Sequence, residues 1–120
     1  MNTRRTGAHY ESLAAEYLEK NGVTILARNF RYRGGEIDLI GREGDTYIFA
    51  EVKYRKNGAA GAPAEAVDYK KQATISRVAD YYRSRFNLTE ACSFRFDIIS
   101  ILGEEITWLP NAFPYRRYYH

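Results

Sequence analysis

The chain has 120 residues, 45% hydrophobic and 28% charged, which suits one globular core and is too short for two. Its formal charge of +3 and pI of about 9.0 are compatible with a polyanionic partner but do not require one. No apolar run nears the roughly 20 residues of a membrane span, no apolar stretch follows the two arginines of Met1 to Gly7, and the lone Cys92 excludes an internal disulfide and cysteine-rich zinc sites, so a single cytoplasmic domain spanning 1–120, with no membrane role, is expected.

Residues 1–6 read as a short mobile basic arm. From Ala8 to Lys20 the apolar residues Tyr10, Leu13, Ala14, Tyr17 and Leu18 recur at helical spacing, and Asn21-Gly22 supplies a stop. Val23 to Phe30 is strand-like. Gly34-Gly35 breaks the chain, and Glu36 to Gly41 and Thr46 to Tyr54 read as two further strands joined by the turn Arg42-Glu43-Gly44-Asp45. Lys56 to Ala62 is a Gly/Ala-rich loop. A helix then opens at Pro63 or Asp68 and runs to about Phe86, with Ile75, Val78, Ala79, Tyr82 and Phe86 as its apolar stripe. Phe94 to Leu102 is a fourth strand, Gly103-Glu104 a turn and Glu105 to Leu109 a short fifth strand. Residues 110–120 form a tail of aromatics and arginines. The order α-β-β-β-α-β-β predicts an α/β protein with a central mixed sheet flanked by helices.

The informative stretches are Gly35-Glu36-Ile37-Asp38-Leu39-Ile40 and Phe49-Ala50-Glu51-Val52-Lys53-Tyr54. Side chains alternate faces along a strand, so Glu36, Asp38 and Ile40 share one face, as do Phe49, Glu51 and Lys53. If Arg42 pairs with Asp45, Asp38 faces Phe49 and Glu51 is its diagonal neighbour. A four-residue loop puts Asp38 directly opposite Glu51. The Cβ atoms are then about 7–8 Å or about 4.5–5.5 Å apart, and both spacings allow one cation to be shared. A Glu-x-Lys pair facing an aspartate is often only a cross-strand salt bridge on a wet face. Here the acids sit in two strongly apolar strands, where unneutralised charge is costly. One lysine cannot neutralise Asp38, Glu51 and Glu36 together, whereas a divalent cation with oxygen ligands can.

The chemistry expected is hydrolysis of a phosphodiester assisted by Mg²⁺ or Mn²⁺. Asp38 and Glu51 serve as ligands, the Val52 carbonyl adds an oxygen, and Lys53 orients water or stabilises developing charge. Glu11 borders the first helix's apolar stripe and is either a solvated edge residue or a further carboxylate for the site. Lys71 lies on the azimuth of Val78, inside the second helix's stripe. It either snorkels past the helix start or reaches a charged pocket, and Gln72 beside it is a weaker candidate. A helix starting near Lys71 would also offer free N–H groups to a phosphate. Arg31, Arg33, Arg55, Lys56 and Lys70 are candidate phosphate contacts flanking the carboxylates, with solvated loop charge as the alternative. The tail Phe113 to Tyr119 stacks on bases, packs across the domain or forms a subunit contact.

The blocks Gly7, Glu11, Ala14; Arg28-Asn29; Gly35 to Ile40; Phe49 to Arg55; Lys71-Gln72; Arg95-Phe96-Asp97 and Asn111-Ala112-Phe113 resemble the YraN family of small bacterial proteins over nearly the whole chain. That family is similar to archaeal Holliday-junction resolvases. The resemblance implies a restriction-endonuclease-like fold with a PD-(D/E)xK site. It matches Glu11, Asp38, Glu51 and Lys53 to the resolvase acidic and lysine positions and Lys71 to the family's lysine on the following helix. Ile37 stands where the motif's proline would be, and the residues after Phe113 extend past the usual family end. A metal-dependent endonuclease acting on DNA, branched DNA included, is the implied function, and a homodimer that cuts two strands is the implied assembly. The alternative is a non-catalytic nucleic-acid-binding or assembly module retaining the fold.

Overall fold

The computed structural model describes residues 3–55, 67–88 and 91–117. The elements are α1 (Thr3–Lys20), β1 (Thr24–Tyr32), β2 (Gly35–Glu43), β3 (Thr46–Arg55), α2 (Tyr69–Arg85), β4 (Ser93–Leu102) and β5 (Glu105–Phe113). They form one mixed sheet in spatial order β1-β2-β3-β4-β5. β1–β2, β2–β3 and β4–β5 are antiparallel, and β3–β4 is parallel. The parallel pair needs a crossover, which α2 provides.

The helices cover opposite faces. Ala14, Ala15 and Leu18 of α1 pack with Leu39, Ile48, Ala50, Val52, Ile99 and Ile101. On the other face Ile75, Val78, Ala79 and Tyr82 of α2 pack with Ile37, Ile40, Phe49, Phe96 and Ile98. Strands covered on both sides can be apolar throughout, which is why β2, β3 and β4 are so rich in Ile, Phe and Val. No helix among the described residues is long and apolar enough to cross a membrane.

The start of α1 and the ends of β1 and β5 differ from the sequence reading, β1 running on to Tyr32 rather than Phe30, whereas α2 opens at the Asp68 alternative. α1 begins at Thr3 and so takes in residues assigned to a mobile arm. α2 begins after Asp68, whose side chain caps the helix by accepting from the Lys71 N–H at 2.8 Å. The Pro63 alternative lies outside the described residues, as does the 56–62 loop. β5 runs on to Phe113, past its expected end at Leu109. The cause is Asp97, which is fully buried and accepts from Arg95 Nε, Trp108 Nε1 and the Asn111 N–H at 3.0, 2.8 and 2.8 Å. Its carboxylate bridges the register shift between Phe96 and Ile98, so β5 continues past Pro110, pairs again at Phe113 and brings that ring onto Phe96.

Two stripe assignments also change. Ala15 rather than Tyr17 is among α1's buried residues. Phe86 caps the C-terminus of α2 and is 49% exposed, because Asn87 turns left-handed (φ 53°) and ends the helix there. Gly35 crosses under α2 so closely that a Cβ would lie 2.6 Å from Val78 Cγ2. Glycine there lets the start of β2 and the first half of α2 share one cleft.

Candidate active site

The β2–β3 hairpin turns at Gly44-Asp45, with pairs running from Glu43↔Thr46 to Leu39↔Ala50. This is the register in which Asp38 comes opposite Glu51, reached with a two-residue loop one position later than Glu43-Gly44. The ladder stops at Leu39↔Ala50. Beyond it the Val52 N–H donates to Asp38 Oδ2 at 2.8 Å. A side-chain carboxylate thus satisfies a backbone donor that the ladder would otherwise leave open.

Simple alternation does not describe β2 here. Ile37 and Ile40, three residues apart, both pack in the α2-side cluster, so the period-two pattern breaks once between them. Glu36, Asp38 and Ile40 therefore do not share a face in the way that alternation predicts. On β1 the pairs Arg28↔Leu39 and Phe30↔Ile37 bracket Asn29, whose φ is 51°. Both strands change sides at the same level, and Asp38 sits at that level.

Glu51 is 6% exposed. Its Oε1 lies 3.9 Å from Lys53 Nζ and 3.7 Å from Lys71 Nζ. These distances are too long for hydrogen bonds, so neither ammonium fully compensates the buried charge. Burial and then the Asp38 charge push the Glu51 carboxyl up to about 7, against the pull of Lys71 and Lys53. Burial also raises Asp38, the Val52 N–H opposes it, and Asp38 accepts a hydrogen bond from Glu51. Burial thus makes both carboxyls harder to ionise, and the Asp38 charge adds to this at Glu51.

Lys71 resolves its two readings in favour of the charged pocket, since its side chain is 45% exposed and ends at Glu51. At the helix start beside it, Asp68 already takes the Lys71 N–H and the Asp68 carbonyl takes that of Gln72, so these two donors are not open to an anion. Gln72 is engaged elsewhere, with Val67 O and Arg116 Nε. Glu11 approaches from α1. Partial burial and the Asp38 charge raise its carboxyl, and Asn29 hydrogen-bonds to it. Among the described residues no three acidic, histidine or cysteine side chains converge as one metal-binding group.

A cleft of about 450 Å³ adjoins the pair, lined by Gly34, Gly35, Glu36, Lys70, Lys71 and their neighbours. Lys70 thus lies beside the site. Arg33 stands at the β1–β2 turn, where its carbonyl accepts from Arg77 at 3.0 Å, and Arg31 pairs with Glu36 at 3.4 Å. Arg55 is farther along β3, and its carbonyl bonds to Gly103 of the β4–β5 turn. Lys56 lies outside the described residues. The tail packs inward as far as the structure describes it: Tyr115 OH donates to Asp80 and the Arg116 N–H to Ser76 Oγ. Sequence reasoning gave no site role to Asn29 or Tyr69 and placed Arg116 only within the tail. An asparagine within a strand was a usable signal for the first, whereas the surroundings of Tyr69 and Arg116 depend on tertiary placement.

A family model described as uncharacterised protein family UPF0102 matches residues 10–101. The chain is 46% identical over 114 residues to a UPF0102 protein of Yersinia enterocolitica, covering 94% of this chain and 97% of that one. It is 43% identical to UPF0102 proteins of Yersinia pseudotuberculosis and Yersinia pestis, with the same coverage. The blocks around Asp38 and Glu51 lie inside the matched region, and so does all of α2. The chain belongs to the uncharacterised protein family UPF0102.

Proposed function

We propose that this protein is a divalent-metal-dependent endonuclease that hydrolyses phosphodiester bonds in DNA, branched DNA included. The observation that carries the reading is the meeting of Asp38 and Glu51 where β2 and β3 part, with two lysines within 3.9 Å of Glu51. The donor set fits Mg²⁺ or Mn²⁺. Mg²⁺ needs only one or two carboxylates when water and phosphate oxygens complete its shell, so a cluster of three acids is not required. The raised carboxyls support this, since a buried acid pair that resists ionisation is relieved by a doubly charged ion.

Asp38, Glu51 and the Val52 carbonyl would hold the ion, with Glu11 reaching it directly or through water. When bound, the ion supplies Lewis-acid polarisation of the scissile phosphate and acidifies water. Asp38 is fixed for this task by the Val52 N–H, so its carboxylate costs little reorganisation. Lys53 orients the attacking water, helps to deprotonate it or stabilises charge on the pentacovalent transition state. Lys71 favours the charged form of Glu51 against the effect of burial and offsets the charge that builds up beside it. Lys70 lines the adjoining cleft, where phosphates flanking the cut would lie, Arg31 reaches Glu36 of that lining, Arg33 immediately precedes it in the chain, and Arg55 ends β3. A homodimer would present two such sites to two strands.

The test is cleavage of duplex, single-stranded and four-way-junction DNA with Mg²⁺ and with Mn²⁺. Wild type should cut at least one of them, and Asp38→Asn and Glu51→Gln should abolish both cutting and Mn²⁺ binding by calorimetry while leaving the fold intact. A wild type that binds these DNAs but cuts none, with either metal, leaves a non-catalytic binding module instead.

A further inference from the structure

The first turn of α2 carries more than Lys71. Tyr69 is 56% exposed, and the Arg116 guanidinium stands 5.1 Å from its ring centroid. Arg116 is not loose. Its Nε donates to Gln72 Oε1 at 2.9 Å and its N–H to the buried Ser76 Oγ at 2.9 Å. Gln72 is anchored in turn to the Val67 carbonyl at 2.9 Å, and Tyr115 to Asp80 at 2.7 Å. The chain leaving β5 is thus strapped along α2 and holds a planar cation against an exposed ring. Exposure of that size leaves ring surface for a second planar group.

Lys70 follows. It lines the cleft beside the carboxylate pair and forms no ion pair among the described residues. Lys71 comes next and ends at Glu51. Three consecutive side chains therefore offer a stacking surface, a cation in a cleft and a cation at the acid pair. An unpaired nucleotide strand presents groups in that same sequence, namely a base, its phosphate and the next phosphodiester. Proteins that hold single strands combine aromatic platforms with cationic grooves in this way. A duplex keeps its bases inside the stack, so only an unpaired base can lie on Tyr69.

We propose that Tyr69, Lys70 and Arg116 form a single-strand subsite, in which an unpaired base stacks on Tyr69 and its phosphate sits at Lys70. The substrate class is then nucleic acid with an unpaired segment next to the cut, and that last clause rests on the hydrolytic reading of Asp38 and Glu51. Binding to the subsite does not, so it is measured without metal. In EDTA, fluorescence anisotropy is followed with labelled oligo(dT) and oligo(U) of about a dozen nucleotides, within the range of single-strand site sizes, and with a blunt duplex of two fully paired strands.

Tyr69→Ala should weaken binding of the single strands on the order of 5- to 100-fold, the span of one lost base stack, and change duplex binding less than about twofold. Tyr69→Phe should bind like wild type. Lys70→Ala should lower the slope of log K against log salt for oligo(dT) by about 0.7. A response to only one of the two oligonucleotides supports the subsite and shows that it distinguishes them by the 2′-hydroxyl or the base methyl. Wild type that binds neither overturns the proposal, as does a Tyr69→Ala protein that binds them like wild type or loses single strands and duplex equally. Loss of single-strand binding in Tyr69→Ala, together with a wild type that cuts no nucleic acid, upholds the subsite and removes the hydrolytic reading. Cutting by wild type with no Tyr69 effect does the reverse.

Discussion

Replacing Glu51 by Gln tests the cation site without any nuclease assay. The Glu51 carboxyl is raised from 4.5 to about 7, so the folded protein holds that proton more tightly than the unfolded chain does. The contribution is fully present below the unfolded value and is lost as pH rises through the folded one. Metal-free wild type should therefore lose stability between about pH 4.5 and pH 7, by at most roughly 3 kcal/mol from this group, and level off above it. Glutamine is neutral throughout, and its amide donates to Asp38 as the protonated acid does. In EDTA at pH 8, Glu51→Gln should be more stable than wild type by roughly 1–3 kcal/mol, and the gap should close on acidification to pH 4.5. Urea unfolding followed by tryptophan fluorescence across that range measures both. Mn²⁺ at about a hundred times its Kd should add about 2.7 kcal/mol to wild type and nothing to the variant. A Glu51→Gln protein less stable than wild type at pH 8 without metal would refute the reasoning. Lys53 and Lys71 would then already neutralise the pair, and no cation would be called for.

Asp97→Ala removes three hydrogen bonds from one buried carboxylate and leaves Arg95 with its longer 3.8 Å pairing to Glu43, so it should cost about 3–5 kcal/mol in urea unfolding. Gly35→Ala puts a methyl 2.6 Å from Val78 Cγ2 and 2.9 Å from Thr74 Cγ2, which should cost about 1–3 kcal/mol and narrow the cleft at Lys70. Asp68→Ala removes the N-cap of α2 and should cost about 1 kcal/mol, read as a lower urea midpoint. Lys53→Ala should slow DNA cleavage on the order of 10²- to 10³-fold, the usual loss on removing one electrostatic donor. Its unfolding midpoint at pH 8 should change little, since a part-exposed ion pair at 3.9 Å contributes about 1 kcal/mol or less.

Much of this arrangement was legible in the chain because the core strands are apolar on both faces. A carboxylate in such a strand stands out against its neighbours, and that contrast picked out Asp38 and Glu51. Their meeting needed only the hairpin signal, since Gly44 marks the turn and strand spacing does the rest. The turn itself slipped by one position, because Glu43-Gly44 and Gly44-Asp45 both place Gly44 in the loop. The break in alternation at Asp38 was hidden for a different reason. It depends on Asn29 adopting a left-handed backbone on the neighbouring strand, and only the fold brings those two residues level.

The remaining misses share one physical cause. Pro110 argues against a paired strand when read locally, yet β5 passes through it because Asp97 holds Asn111 and Trp108 from the adjacent strand. Arg116 has no local reason to lie on Tyr69. It is there because Phe113 is buried against Phe96, which aims the next residues along α2 toward Ser76 and Gln72. A buried acid thus sets the path of β5, that path sets the strap, and the strap carries a guanidinium to the first turn of α2, where Lys71 meets Glu51. Removing Asp97 should then loosen the far end of this chain of contacts as well as the near one. Hydrogen exchange at the Arg116 N–H in Asp97→Ala should rise under conditions where the protein is still folded. Unchanged protection there would mean that the strap holds itself on α2 without help from β5.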